Sequence, residues 1–310
     1  MISSCVVCNS KSIVRGRKYS NESYQNIEEF DRLKISYCED CGFGFVEPEL
    51  QDDFLNNFYT NLYRNSISPH QIKFPSLAFS ERTDNRSRSQ MQLAKKYIDY
   101  SEGDIFVDIG PGYGESFKEV DKIFPHIGRV AIELSDGAAE AYKRIYNIIS
   151  YNTVELFLET GNRAKIALLS HCLEHYKLSW LKNSLLELKN LVSEEGILII
   201  EVPHVDFRNN ENNRFEDSPH CLFFSKDSLR ELFEKNGWEV LFINTVDMLY
   251  EEYFSLNLKI EKIGYFRNIF NKIDHKLQMK GIYLFAKSLN PNFKYGGNRV
   301  GLRMIARPIV

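Results

Sequence analysis

From Ile105 onward, short apolar runs alternate with segments whose apolar residues recur at helical spacing. The runs IFVDIG, RVAIEL, NIISYN, KIALLS, ILIIEVP and WEVLFINT predict six strands. Between them fall a helix starting near Glu115 and the segments DGAAEAYKRIY, LSWLKNSLLELKNLV and KDSLRELFEKNG, the last closed by Gly237 as a C-cap. Glu195-Gly196 predicts a turn into the fifth run, and HCLEH follows the fourth as a helical turn. Strict strand–helix alternation predicts an α/β fold, a doubly wound Rossmann-like sheet. After Asp247 the alternation stops. Residues 247–298 read as amphipathic helices rich in Tyr, Phe and Lys, and GLRMIARPIV reads as one more strand. The last hairpin of the sheet is therefore expected to be split by a helical insertion.

Upstream, ELQDDFLNNFYTNLYR carries apolar residues near helical spacing, and Pro69 and Pro75 interrupt the next stretch. SERTDNRSRSQMQLAKKYIDY then reads as a helix with a polar start. The expected organisation is a cysteine unit at 1–53, a helical linker at 54–100, a main domain at 101–246 with 299–310, and the insertion at 247–298. Tyr59, Tyr63, His70 and Arg82, Arg86 and Arg88 are either packing and solvated residues or reach a neighbouring pocket.

Charge narrows the partners. The 310 residues carry a net charge of −3, which gives no global attraction to nucleic acid or anionic membrane. The N-terminus lacks a basic stretch followed by an apolar one, and no apolar run reaches the ~18 residues of a membrane span. A soluble, cytoplasmic protein is expected. Residues 258–294 hold eight Lys or Arg against two Asp or Glu. This segment suits an anionic ligand or partner, or else a solvated lid or a dimer contact through which the chain forms an oligomer.

Of six cysteines, Cys5, Cys8, Cys38 and Cys41 form two C-x-x-C pairs, with Gly42 after the second. Two such pairs in a reducing compartment read as a structural Zn2+ site, since four thiolates complete a tetrahedron and leave no open position. The alternative is four reduced, partly buried cysteines. Cys172 and Cys221 read as small buried apolar residues.

The main chemical signal is FVDIGPGYGESF, Phe106 to Phe117, with Gly110, Gly112 and Gly114 at alternate positions. Glycines at a strand-to-helix turn let a nucleotide approach the backbone. In the pyrophosphate-binding pattern G-x-G-x-x-G the third glycine comes one residue later. Here the position after Gly114 is Glu115, and Asp108 precedes the glycines, so the turn is ringed by carboxylates that disfavour a phosphate. They suit a ligand with no phosphate and a positive end, such as S-adenosyl-L-methionine. Glu133, 19 residues past Gly114, closes the second strand where an acid accepts ribose hydroxyls.

D-I-G-P-G-Y-G, Glu133, S-H-C-L-E-H, I-I-E-V-P-H and H-C-L-F-F-S-K-D-S-L-R-E-L-F-E-K-N-G-W-E-V together resemble a class I S-adenosylmethionine-dependent methyltransferase over residues 101 to 245. With the four-cysteine unit, the layout resembles zinc-containing sugar methyltransferases of antibiotic and surface-polysaccharide pathways. The resemblance implies cofactor contacts at Gly110, Gly112, Glu133 and the loop from Asn152 to Val154, and an acceptor that is a small-molecule carbohydrate, free or nucleotide-linked. Ser170 and His171, at the end of the fourth strand, join the cofactor-side set with Asp108 and Gly114. Carbon methyltransferases of that group carry Y-H-E-H where this chain has D-S-P-H, Asp217 to His220, and the lost Tyr and Glu favour methylation of oxygen.

A hydroxyl acceptor must lose a proton, and a neutral histidine suits that task. His171, His175, His204 and His220 all follow strand ends or border the cleft they form. His175 and His220 are the candidate catalytic residues. His171 reads as a cofactor-side or capping contact and Glu174 as a structural or cofactor-loop acid rather than a base. Glu201 and His204 are divided between a strand-end hydrogen bond and a substrate role. H-C-L-E-H places its glutamate differently from the zinc-protease pair, and the sequence offers no third ligand, so no catalytic metal is assigned there. Two other functions remain open. A zinc-ribbon RNA methyltransferase needs a basic zinc unit, whereas residues 1–53 hold six Lys or Arg against ten Asp or Glu. A binding protein on the same fold would lack cofactor affinity.

Overall fold

The computed structural model describes residues 2–63 (apart from 22, 23 and 25), 85–208, 219–247 and 300–309. The expected insertion at 247–298, with its basic residues, lies outside the described residues beyond Asp247. So do His70, Arg82 and Asp217.

The main sheet has seven strands: β4 (Ile105–Ile109), β5 (Gly128–Ile132), β6 (Ile149–Tyr151), β7 (Ala164–Ser170), β8 (Val192–Pro203), β10 (Trp238–Asp247) and β11 (Val300–Pro308). Their spatial order is β10-β11-β8-β7-β4-β5-β6. The pairs β4–β5, β4–β7, β5–β6 and β7–β8 are parallel, and only β11 runs against its neighbours. The strand order reverses between β4 and β7, so a crevice opens beyond the C-terminal ends of these two strands. β10 and β11 pair from Trp238↔Pro308 to Asp247↔Val300.

Helices cover both faces. In β8, Ile197 and Ile199 pack with α3 (Asn85–Ala94), α4 (Glu115–Ile123) and α5 (Asp136–Tyr146), through Met91, Phe117 and Tyr142. The alternate residues Leu198, Ile200 and Val202 pack on the other side with Leu185 and Leu188 of α7 (Leu181–Leu191) and Leu229 and Phe233 of α8 (Lys226–Lys235). Both faces of the strand are apolar because both are buried, as parallel sheets require. Ser225 caps α8 through a reciprocal bond with Ser228.

Two local expectations are corrected. Glu195-Gly196 makes no separate turn: β8 is continuous from Val192, with an irregularity between the Ala164↔Val192 and Ile166↔Ile197 pairs. Gly196 permits it, since a Cβ there would lie 2.8 Å from Ala164 O and 2.9 Å from Lys165 O. HCLEH is likewise not an α-turn. His171 has φ +53°, and only Leu173–His175 forms a 3₁₀ turn.

The N-terminal part forms a second sheet from β1 (Ile13–Lys18), β2 (Lys34–Cys38) and β3 (Gly44–Glu47), all antiparallel. Its fourth strand is β9, Leu222–Phe223, from the segment joining β8 to α8. The core under this sheet joins Phe30 of α1 (Glu28–Asp31), Leu55 and Phe58 to Val205, Phe207 and Phe223. Helix α2 (Asp52–Asn57) continues as a π-helical segment, Phe58–Leu62, and carries Tyr59 and Tyr63 toward the main sheet.

Candidate active site

At the end of β4 the chain makes the turn Gly110-Pro111-Gly112-Tyr113-Gly114, with φ of +66°, +60° and +72° at the glycines. The three differ in what surrounds them. A Cβ on Gly114 would lie 2.8 Å from the Tyr146 ring, and one on Gly110 3.2 Å from Cys172 Sγ. At Gly112 nothing lies within 4 Å. Gly114 is thus needed for packing, whereas Gly112 faces open space at the strand end where a ligand fits.

Asp108 is buried behind this turn, and the Ser116 hydroxyl donates to its carboxylate. Burial pushes Asp108 up to about 7, aided by the neighbouring Glu115 and Glu133 carboxylates and opposed by Ser116. Glu133 follows β5. Its carboxylate accepts from Ser135 N–H (2.9 Å) and lies 3.1 Å from the Tyr142 hydroxyl. Tyr142 also donates to Gly112 O (2.7 Å), so one phenol ties the glycine turn to the acid. Asn152 is exposed between β6 and α6 (Val154–Leu158), which Thr153 caps. Glu115 and Glu133 give the crevice an anionic side that favours a cationic ligand, and Asp108 behind the turn ionises more readily once such a ligand is near.

A second group lies beyond β7 and β8. Ser170 Oγ accepts from Gln90 Nε2 (2.9 Å), which also donates to Glu201 Oε2 (2.9 Å). His171 N–H donates to Glu201 O (2.7 Å). Its ring stands between two carboxylates, Nδ1 3.3 Å from Glu174 Oε1 and Nε2 3.6 Å from Glu201 Oε1. Burial alone would lower the His171 pKa, but these carboxylates raise it to about 9. Glu201 is completely buried and paired with Arg303 at 2.6 Å, an anchor rather than a substrate group. Burial would raise both glutamates. The histidines, with Arg303 in the case of Glu201, instead bring each down to about 2. His204, at the end of β8, forms an isolated bridge with Phe224, and burial lowers its pKa.

The 3₁₀ turn after His171 points His175 the other way. Its ring lies 5.1 Å from that of His220 and 5.6 and 6.3 Å from those of Tyr59 and Tyr63. Burial lowers the pKa of both histidines, His220 to about 3, so both are neutral near pH 7. The backbone around His220 is held from two sides. Cys221 N–H donates to Glu174 O (2.7 Å), Cys221 O accepts from Val46 N–H (3.0 Å), and the Tyr19 hydroxyl donates to His220 O (3.0 Å). Cys172 is half-buried below Gly110 and so links the two groups.

Cys5, Cys8, Cys38 and Cys41 converge, all four sulfurs lying within 4.8 Å of one another. Cys5 Sγ is 3.6 Å from Cys41 Sγ, and Cys8 Sγ is 3.5 Å from Cys38 Sγ. Four thiolates ~2.3 Å from one Zn2+ stand about 3.8 Å apart, so the donor set fits the ion.

Sequence reasoning missed several residues that build the site. Tyr142, Gln90 and Arg303 look like ordinary helix and strand positions in the sequence. Among the described residues, no helix is long and apolar enough to cross a membrane.

A family model described as "Methyltransferase domain" matches residues 83–242. No curated protein matches the chain. Among solved structures the chain is similar to the cyclopropane synthase MmaA2 from Mycobacterium tuberculosis, at 12% identity and a TM-score of 0.49, covering 83% of this chain and 94% of that one. It is also similar to the mycolic acid cyclopropane synthase CmaA1, at 11% identity and 0.48, covering 71% and 83%. With the mitomycin 7-O-methyltransferase MmcR the identity is 16% and the TM-score 0.42, covering 72% and 54%. The family match spans more than half of the 310 residues and includes both the glycine turn and the histidine cluster, so the chain belongs to the methyltransferase-domain family and is an S-adenosylmethionine-dependent methyltransferase.

Proposed function

We propose that the protein transfers the methyl group of S-adenosyl-L-methionine to a hydroxyl of a sugar or nucleotide-linked sugar, in surface-polysaccharide or secondary-metabolite biosynthesis. The observation that carries this reading is the convergence of His175 and His220, both neutral, with Tyr59 and Tyr63 beyond the strand ends. The cofactor lies along Gly110, Gly112, Gly114 and Glu133, with Asp108 behind the turn, Asn152 near the adenine, and Ser170 and His171 bordering the acceptor end. Its sulfonium faces the anionic side of the crevice. The acceptor hydroxyl is activated at the His175–His220 pair. His171, protonated between two carboxylates, is not the base. Tyr59 and Tyr63 stand beside this pair, and the buried Tyr59 hydroxyl is available to a polar edge of the acceptor.

Displacement at the methyl carbon needs the acceptor oxygen held about 3–3.5 Å away and in line with the leaving sulfur. The N-terminal unit supports that placement, since β9 and α2 bring His220 and Tyr59 to the cleft. A structural Zn2+ on Cys5, Cys8, Cys38 and Cys41 holds that unit. A methyl-transfer screen against free sugars and nucleotide-sugars tests the reading, with the methyl position read by NMR. An O-methyl sugar supports it. A methylated RNA or a methylated carbon as the sole product overturns it.

A further inference from the structure

The cluster around His175 contains more unpaired buried polarity than a hydroxyl acceptor accounts for. Glu174 is 1% exposed, and neither of its carboxylate oxygens has a hydrogen-bond partner. Its approach to His171 is a charge contact without hydrogen-bond alignment. His175 Nδ1 is also buried and unpaired. A buried carboxylate with neither oxygen hydrogen-bonded is costly even beside a cationic ring, and native sites of this kind hold an ion or ordered water. One ligand atom each from Glu174, His175 and His220 lies within 4.8 Å of the others.

We propose that Glu174, His175 and His220 bind one divalent transition-metal ion at the acceptor end of the cleft, distinct from the four-cysteine site. Two imidazole nitrogens and one carboxylate suit zinc, cobalt, iron or manganese, whereas calcium and magnesium prefer oxygen ligands throughout. The ligand set is not the H-x-x-x-H pair of HCLEH. His171 is turned toward Glu201 by its left-handed backbone, and the third ligand, His220, comes from the segment between β8 and β9. The Cys221 N–H bond to Glu174 O fixes that segment against the 3₁₀ turn.

Three protein ligands leave an open position, which a substrate oxygen can occupy. The role of the ion, though not its binding, rests on the methyl-transfer reading. With Glu174, His175 and His220 holding it, the ion would supply Lewis-acid polarisation, so that the two histidines act through it as ligands rather than as the base, and the acceptor hydroxyl would lose its proton to water. The acceptor oxygen then forms the O–CH3 bond as the S–CH3 bond breaks, with the bonding pair passing to sulfur.

The test uses the full-length protein with its thiolate-bound metal retained, titrated with Co2+ alone. The wild type is expected to take up one further equivalent of Co2+. That equivalent gives visible d–d absorption without thiolate-to-cobalt charge transfer. Glu174→Gln and His220→Ala should each weaken uptake by more than about tenfold, with the circular dichroism and thiolate-bound metal unchanged. If His220→Ala unfolds, His220→Gln takes its place. A wild-type protein that takes up no further equivalent overturns the proposal, as does uptake indifferent to both substitutions. Neither result touches the methyl-transfer reading, which its own product assay decides.

Discussion

Glu201 and Arg303 stand directly opposite one another across β8 and β11, both buried, with the guanidinium Nε and Nη2 each 2.6 Å from one carboxylate oxygen. The pair joins the terminal strand to the floor of the site. Glu201 also accepts from Gln90 and stands against His171, while Arg303 donates to Ser89. A residue of the last strand thereby sets the charge beside His171.

Breaking this pair should cost about 3–5 kcal/mol, because the remaining ion is left buried without its counter-charge. Glu201→Leu and Arg303→Met are each expected to lower urea stability by about that amount. The double substitution should cost less than the sum of the two. Additive losses would show that the two side chains do not depend on each other.

Gly112 and Gly114 should separate binding from folding. Both have positive φ, so each alanine carries about 1 kcal/mol of backbone strain. Gly114→Ala additionally drives a methyl into the Tyr146 ring and should lower the melting temperature markedly. Gly112→Ala meets no protein atom. It should leave most of the stability and weaken S-adenosylmethionine binding, read by calorimetry. Equal affinity in Gly112→Ala would place the cofactor elsewhere.

Asp108 gives the fold a pH dependence of known sign. Its folded pKa, about 7, lies above the ordinary aspartate value of 3.8. Below pH ~4 both states are protonated and there is no penalty. Between the two values the unfolded chain releases a proton that the fold retains, so stability falls as pH rises, and it levels off above pH ~7. Asp108→Asn, which does not titrate, should therefore gain on the wild type from pH 4 to 8, by up to about 4 kcal/mol. Saturating S-adenosylmethionine should flatten the difference, because its positive charge favours the ionised carboxylate. Denaturation curves at four or five pH values decide this. A constant offset would mean that Asp108 does not titrate in this range.

Emptying the proposed four-cysteine metal site should disturb the candidate active site as well as the N-terminal unit. β3 pairs with β9, and Val46 holds Cys221 beside His220. Chelation, or Cys38→Ser, is expected to raise hydrogen exchange at both Val46 and Leu222 and to lower methyl-transfer turnover. Cofactor affinity should remain, because the glycine turn lies on the other group of strands. Unchanged exchange at Leu222 would show that the two sheets are stabilised independently.

The strands, helices and glycine turn are legible in the sequence because each depends on local order in the chain. Ile105–Ile109 announces a strand by its apolar run, Gly110, Gly112 and Gly114 announce a turn that tolerates positive φ, and Glu133 follows at a fixed interval. The two C-x-x-C pairs are legible for the same reason, their spacing being part of the chemistry. HCLEH reads as a helical turn because nothing local shows that His171 adopts a left-handed conformation, which its bond to Glu201 O supports.

The sequence by itself determined the type of sheet, the glycine turn after its first strand and the set of four paired cysteines, since these need only neighbouring residues and short periods. Tertiary structure alone decided which side chains meet beyond the strand ends. β9 leaves the main domain to complete the N-terminal sheet and sets His220 beside His175 and Glu174. β11 returns from the far end of the chain and sets Arg303 against Glu201. Those contacts are made by strand pairing over long sequence separations, and a register is fixed only when both partners are folded.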